Sequence, residues 1–315
     1  MVEETTLKLD LYRRDFSINA MALALAPARF GQLIDFFGSQ RDLKERKLRV
    51  LHSLSFVEDP SRVVRGVRFE QRYDFEFDRQ TSALIHAAVS AGFFKNLPGR
   101  RLAHEFRQLF EEREPLKGLE RLDELGVLAA IHPDLNLTAG LRERLTRVRE
   151  TLTWFRLLFT GEDFSAWRIH ILSLSDGLGP QRLVELAATL GLNDSEIAAV
   201  QESRSRCQAA LAALMRATRP SEAVASLEKL SLDELLFGMA RSSDERLRGQ
   251  LSSFITTWRH YQPLASGQDL LALGFRPGRA LGVVLRQIRD RGLNGEIRDR
   301  AAALELALAA LKAAE

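Results

Sequence analysis

From Asp59 onward, apolar positions recur at three- and four-residue spacing almost without a break, which predicts a succession of helices. The pattern places them over 60–72, 79–91, 101–113, 115–125, 128–132, 141–159, 167–174, 181–190, 195–217, 220–230, 232–241 and 243–259. In the third, Leu102, Phe106, Leu109 and Phe110 share one face. Asp194-Ser195 and Ser231 to Glu234 read as amino-terminal caps, and Pro133 ends a run. A last unit from Gly267 has a turn at Gly274 to Gly278 and then two helices.

The first fifty residues differ. Phe16 to Leu25 is apolar and alanine-rich, Gln32 to Phe37 reads as a short strand, Gly38-Ser39 as a turn, and Leu48 to Leu51 as a second short strand. Two short strands do not make an independent domain. The expected fold class is therefore mainly α, a helical array preceded by a remnant of α/β structure.

Composition adds limits. The 315 residues allow two or three domains, and 45% hydrophobic with 28% charged residues is the balance of a soluble globular protein with ample core. The single cysteine, Cys207, permits no intrachain disulfide and fits a reducing cytoplasm. The six histidines show no metal-ligand spacing. No apolar run reaches the ~18 residues of a membrane span, and Met1 to Asp10 is too polar for a signal peptide. A net charge of +3 permits a nucleic-acid partner without establishing one.

Two segments carry chemistry. In Arg13-Arg14-Asp15-Phe16-Ser17-Ile18-Asn19, the guanidinium forks suit phosphate and ribose oxygens, and the aspartate accepts from a hydroxyl or orients an arginine. An Arg-Asp pair capping a helix is the plainer alternative. In Glu58-Asp59-Pro60-Ser61-Arg62-Val63-Val64-Arg65-Gly66-Val67-Arg68, Asp59 before Pro60 reads as a helix cap. Arg62, Arg65 and Arg68 then span an arc of ~120°, with Val63, Val64 and Val67 on a separate arc. Like charges at that spacing repel, so the row makes sense against a polyanion. An acceptor and a donor three residues apart suit a nucleobase edge. The alternative is that Asp59 only caps and Arg62 pairs with Glu58. The nucleotide reading requires positions 59, 62 and 65 to face a cavity.

These segments resemble a known family. RRDFSINAMA is similar to the RRDFTINAMA signature of class II tRNA nucleotidyltransferases and bacterial poly(A) polymerases, and EDPSRVVRGVRF to their EDPLRVLRAVRF signature. Gln32 to Leu43 resembles the segment that lies between them, and Gly99 to Phe106 the neck-helix motif that follows. The tail from Gly274 resembles the carboxy-terminal unit of longer members.

The resemblance implies template-independent nucleotide addition to RNA 3′ ends, as CCA, A-only or poly(A) addition. It implies that Arg14 and Asp15 contact the ribose or phosphates, that Asp59 and Arg62 read the Watson–Crick edge, and that Arg65 and Arg68 hold the triphosphate. Asp35, Gly38 and Asp42 would form a hinge-like segment. Residues 1–55 would be the end of the nucleotidyltransferase head, 56–135 a neck of base-recognition and RNA-binding helices, 136–262 the body and 263–315 the tail, gripping a tRNA acceptor end. Arg142, Arg144, Arg147 and Arg149 would touch RNA phosphates, with a solvated helix face as the alternative. ATP and CTP would be substrates, and Mg2+ the metal.

One departure matters. The family's glycine-rich GG..RD element and its metal-binding Asp-x-Asp strand do not occur in this sequence. The expectation is that this chain lacks the front of the head and, alone, does not transfer nucleotides. Ser17 for Thr and Gly66 for Ala are milder departures, and Gly66 is expected to cost its helix about 1 kcal/mol. A non-catalytic RNA-binding helical module is the rival reading, and a scaffold for protein partners the least favoured. Oligomeric state is left open.

Overall fold

The structure, a computed structural model, describes residues 6–312. It divides into two compact units, one ending at residue 201 and the other beginning at residue 202.

In the first unit, Thr6 caps a short helix, Leu7–Tyr12, by accepting from the Leu9 N–H. Strand Met21–Leu23 pairs antiparallel with Leu33–Asp35, Met21 opposite Asp35. The second expected strand is shorter than its pattern: Lys47–Leu48 pairs in parallel with Glu76–Phe77, and Val50 bridges Phe16. The turn at Gly38 opens a helix, Ser39–Lys44, because Gly38 takes the left-handed conformation at φ 76°.

Asp59 is not the cap of the arginine helix. It closes the helical turn Ser55–Glu58, and the next helix runs Arg62–Tyr73 behind Ser61. Pro60 keeps its predecessor extended, at φ −150° and ψ 93°. The Asp59 carboxylate accepts from Ser61 N–H (3.1 Å) and its hydroxyl (2.5 Å), fixing the turn. Val63, Val64 and Val67 are fully buried with Phe16, Leu48 and Phe56.

Gly66 reverses its expected effect. A Cβ there would come within 2.6 Å of both Phe16 and Phe77, whose rings are buried. Gly66→Ala therefore destabilises the unit by about 1–3 kcal/mol through overpacking, although helix propensity alone favours alanine. Urea unfolding checks the sign; a raised midpoint would refute the packing account.

Helices Arg79–Ser90, Gly99–Phe110, Pro115–Glu124, Val127–Ile131, Ala139–Arg156, Ala166–Ser175 and Pro180–Thr189 follow the expected order. Leu102, Phe106, Leu109 and Phe110 are buried together. The next helix, Asp194–Arg216, is capped by Asn193 rather than by Asp194-Ser195: Asn193 and Glu196 exchange hydrogen bonds of 3.0 and 2.9 Å.

The second unit continues with Pro220–Leu227, Leu232–Arg241 and Glu245–Thr256. Ser231 and Glu234 form the expected capping box. The tail holds Gly267–Ala272 as well as the two expected helices, Arg279–Leu293 and Arg300–Lys312, around Leu270, Phe275, Ile288 and Ala303. Among the described residues, no helix is long and apolar enough to cross a membrane.

Candidate nucleotide site

Arg13, Arg14, Asp15, Asn19, Asp59, Arg62 and Arg65 line one open cavity of about 430 Å3. The two motifs, about forty residues apart in sequence, thus form one polar site.

Each motif is held locally. Asp15 is nine-tenths buried; one carboxylate oxygen accepts from the Phe16 N–H (2.8 Å) and the Asn19 amide (3.1 Å), and the other from Arg65 Nη1 (3.1 Å). Arg14 is half exposed at the rim and donates to the Asn19 carbonyl (3.3 Å). Arg62 is anchored: Nη1 donates to the Ser55 hydroxyl (2.9 Å) and carbonyl (3.2 Å), and Nη2 to the Arg13 carbonyl (3.3 Å). Glu58 stands 3.5 Å from it, so the pairing expected as an alternative exists and does not remove Arg62 from the cavity. Asp59 keeps an oxygen 3.5 Å from Arg101 Nη1. An anchored donor beside a fixed acceptor suits recognition of a hydrogen-bonding edge, since little order is lost on binding.

Arg65 lines the cavity, but its donors face carboxylates. Nε donates to Glu105 Oε1 (3.0 Å), and Nη1 to Asp15. Burial opposes the Arg65 charge, and Glu105 and Asp15 outweigh it, holding the guanidinium above its ordinary pKa. Arg68 is not on the cavity. It is 7% exposed, lies 3.6 Å from Glu112, and faces a second depression.

The residues expected at the hinge form a tightly bonded turn. The Asp35 carboxylate accepts from the backbone N–H groups of Phe37 (3.2 Å), Ser39 (2.9 Å) and Gln40 (3.0 Å). Burial works against that charge, and the backbone donors overcome it, bringing the carboxyl down to about 2. Asp42, 2% exposed, accepts from the Ser17 hydroxyl (2.5 Å) and Arg49 Nε (2.9 Å), while Ser17 N–H donates to the Arg49 carbonyl (2.8 Å). The turn is thereby tied to the first arginine motif.

Arg142, Arg144, Arg147 and Arg149 of the Ala139–Arg156 helix do not line the cavity. Arg142 pairs with Glu120, Arg147 with Glu143 and Arg149 with Glu114, and Arg144 donates to the carbonyls of Ser173 and Asp176.

Sequence reasoning assigned no role to Asn19, Arg101 or Glu105. Glu105 carried a usable signal: a carboxylate on the apolar stripe of Leu102 and Leu109 implies a buried cationic partner.

A model of the poly A polymerase head domain matches residues 1–49, and one described as the probable RNA and SrmB-binding site of polymerase A matches residues 74–138. The chain is 38% identical over 95% of its length to the A-adding tRNA nucleotidyltransferase of Geobacter sulfurreducens, and spans 35% of that protein. It also matches a Thermotoga maritima CCA-adding enzyme complexed with tRNA at 32% identity, with a TM-score of 0.77, over 97% of this chain and 74% of that one. The chain belongs to the tRNA nucleotidyltransferase/poly(A) polymerase family. A CCA-adding enzyme complexed with ATP, 31% identical, matches over 97% of this chain and 73% of that one with a TM-score of 0.75. The tRNA nucleotidyltransferase family accounts for a small, short-stranded head portion followed by helices.

Proposed function

We propose that this chain supplies nucleotide selection and RNA binding to template-independent nucleotidyl transfer at tRNA 3′ ends. The convergence of both arginine motifs on one cavity carries the reading. Asp59 and Arg62 read the Watson–Crick edge of the base, one accepting and one donating. Arg14 and Asp15 meet the ribose and phosphates. Arg65, bonded to two carboxylates, orients Asp15. The bonded turn at Asp35, Gly38 and Asp42 sets the angle at which residues 1–55, the head portion, meet the neck of residues 56–135. The body is 136–262 and the tail 263–315. AMP transfer is common to A-adding and CCA-adding enzymes, so ATP is the nucleotide assigned first and CTP second.

Among the described residues, no group of three or more His, Cys, Asp or Glu side chains gathers as metal ligands, and the family's Mg2+ is assigned to a segment outside these residues. The proposal therefore runs no step through a metal, and the chain alone is expected not to transfer nucleotides. Arg142, Arg144, Arg147 and Arg149, each bonded within the chain, serve the packing of the body and its contact with the neck. The buried thiol of Cys207 accords with a cytoplasmic location.

Titration of the chain with ATP should saturate, and Arg62→Ala should weaken binding at least about tenfold, the scale of one lost edge contact. Incubation with tRNA lacking its CCA end, labelled ATP and magnesium should incorporate no label. Binding of tRNA without saturable ATP binding would favour a bare RNA-binding module. Robust incorporation would overturn the assignment of the chemistry outside these residues.

A further inference from the structure

The geometry points to a separate phosphate site, in which the depression lined by Arg68, Arg72, His104, Arg107, Gln108 and Glu111 takes one phosphodiester group of the bound RNA strand. It rests on the proposed RNA substrate and adds a position for it.

The depression has a volume of about 270 Å3 and lies between helices Arg62–Tyr73 and Gly99–Phe110. Asp59 meets Arg101, Arg65 meets Glu105, and Arg72 meets Glu112, so these helices run side by side in the same direction. The nucleotide cavity occupies one end of that seam. Arg68 lies six residues beyond Arg62, about 9 Å farther along the helix axis. The two concavities are thus distinct, with no residue in common.

Arg68 marks this one as an anion site. Its Nε is buried without a hydrogen-bond partner, although the residue is more than nine-tenths buried. Its nearest carboxylate oxygen, on Glu112, is 3.6 Å away, and Glu112 already accepts from Arg72 Nε (3.1 Å) and Nη2 (2.5 Å). Burial lowers the Arg68 pKa, which the charges of Glu105 and Glu112 only partly oppose. A buried cation in that condition gains from an added anion. Arg107 is half exposed, with its guanidinium 4.9 Å from the centroid of the Trp167 ring and Glu196 at 3.7 Å. The Gln108 amide nitrogen and His104 Nε2, 2.7 Å apart and hydrogen-bonded to each other, add polar groups to the wall. Glu111 is the one carboxylate on the wall. Arg68, Arg72 and Arg107 outnumber it and leave the wall net positive, as a phosphodiester of the RNA strand requires.

The test uses the 315-residue chain with tRNA lacking its CCA end, titrated by fluorescence anisotropy across a range of salt. Arg107→Gln, at an exposed position, and Gln108→Glu, at a half-buried one, should each weaken RNA binding about three- to tenfold. Arg107→Gln should also flatten the salt dependence by about 0.7–0.9 in log–log slope, the value of one lost phosphate contact. ATP binding should stay as in the parent chain. Arg79→Gln removes an exposed charge from another helix and should leave RNA binding unchanged. Parent-like RNA affinity and slope in both variants would overturn the site, as would equal weakening by Arg79→Gln. So would a loss confined to binding of inorganic pyrophosphate. A parent chain that binds neither ATP nor RNA would instead sink the functional reading itself.

Discussion

A Glu105→Gln chain unfolds about 2–3 kcal/mol more easily than its parent and binds ATP about tenfold more weakly. Glu105 is 2% exposed, and one of its oxygens takes both the Nε and Nη2 donors of Arg65. An amide in its place keeps one acceptor oxygen but removes the negative charge, and it buries an NH2 group where the second oxygen has no hydrogen-bond partner. Arg65 is one-third exposed, so water offsets part of the loss, which keeps the effect below that of a fully buried pair. The ATP effect follows from the third contact. Arg65 holds the second oxygen of Asp15, and without Glu105 it is no longer fixed in orientation. Urea unfolding reads the first effect and ATP titration below the unfolding transition the second. Parent-like values in both would show that Arg65 needs no buried partner.

The site was legible because its chemistry is concentrated in short segments. Arg14, Asp15, Asp59 and Arg62 line one cavity because Phe16 packs beside the arginine helix, 6.1 Å from Phe69 and 6.2 Å from Phe77, bringing its neighbours along. Arg68 was misplaced by helical projection, which put it on the same ~120° arc as Arg62 and Arg65. Projection gives angle and ignores advance along the axis, and that advance carries Arg68 to a different depression.

The helices were legible for a similar reason: long amphipathic segments state their own period. The misses are short and depend on partners. Lys47–Leu48 is a strand only because Glu76–Phe77 lies beside it, and the latter follows a left-handed residue, Asp74 at φ 57°. Gly66 looked like a weak point in a helix because propensity knows nothing of the two rings packed against it. Pro60 looked like a helix start, yet the constraint it places on Asp59 sets the helix two residues later and turns Asp59 toward the cavity.

Acidification from pH 7 to pH 4 should lower the stability of the first unit by about 3 kcal/mol through one side chain, His170. The imidazole is 2% exposed and stacked on Phe110, with ring centroids 4.2 Å apart and planes 5° from parallel. Burial lowers its pKa from 6.5 to about 4, against the hydrogen bond with the Ala166 carbonyl (2.7 Å) and with a further contribution from the Arg156 charge. The unfolded chain takes up a proton near 6.5 that the folded chain refuses until about 4. The stabilisation is therefore complete above 6.5, falls as the pH drops between those values, and levels off below 4. Carboxylates elsewhere titrate over part of the same range, so the measurement is a difference. Urea unfolding of the parent and of His170→Gln at pH 7, 6, 5 and 4 should give curves that converge with acid, because the amide has nothing to protonate. The consequence reaches the neck: Phe110 ends the Gly99–Phe110 helix, and Trp167, one turn before His170, backs Arg107. Loosening this stack should release that helix end before the Asp59–Arg62 turn, which has no contact with the ring. Parallel stability curves for the two proteins would show that His170 already shares its charge with water in the folded state.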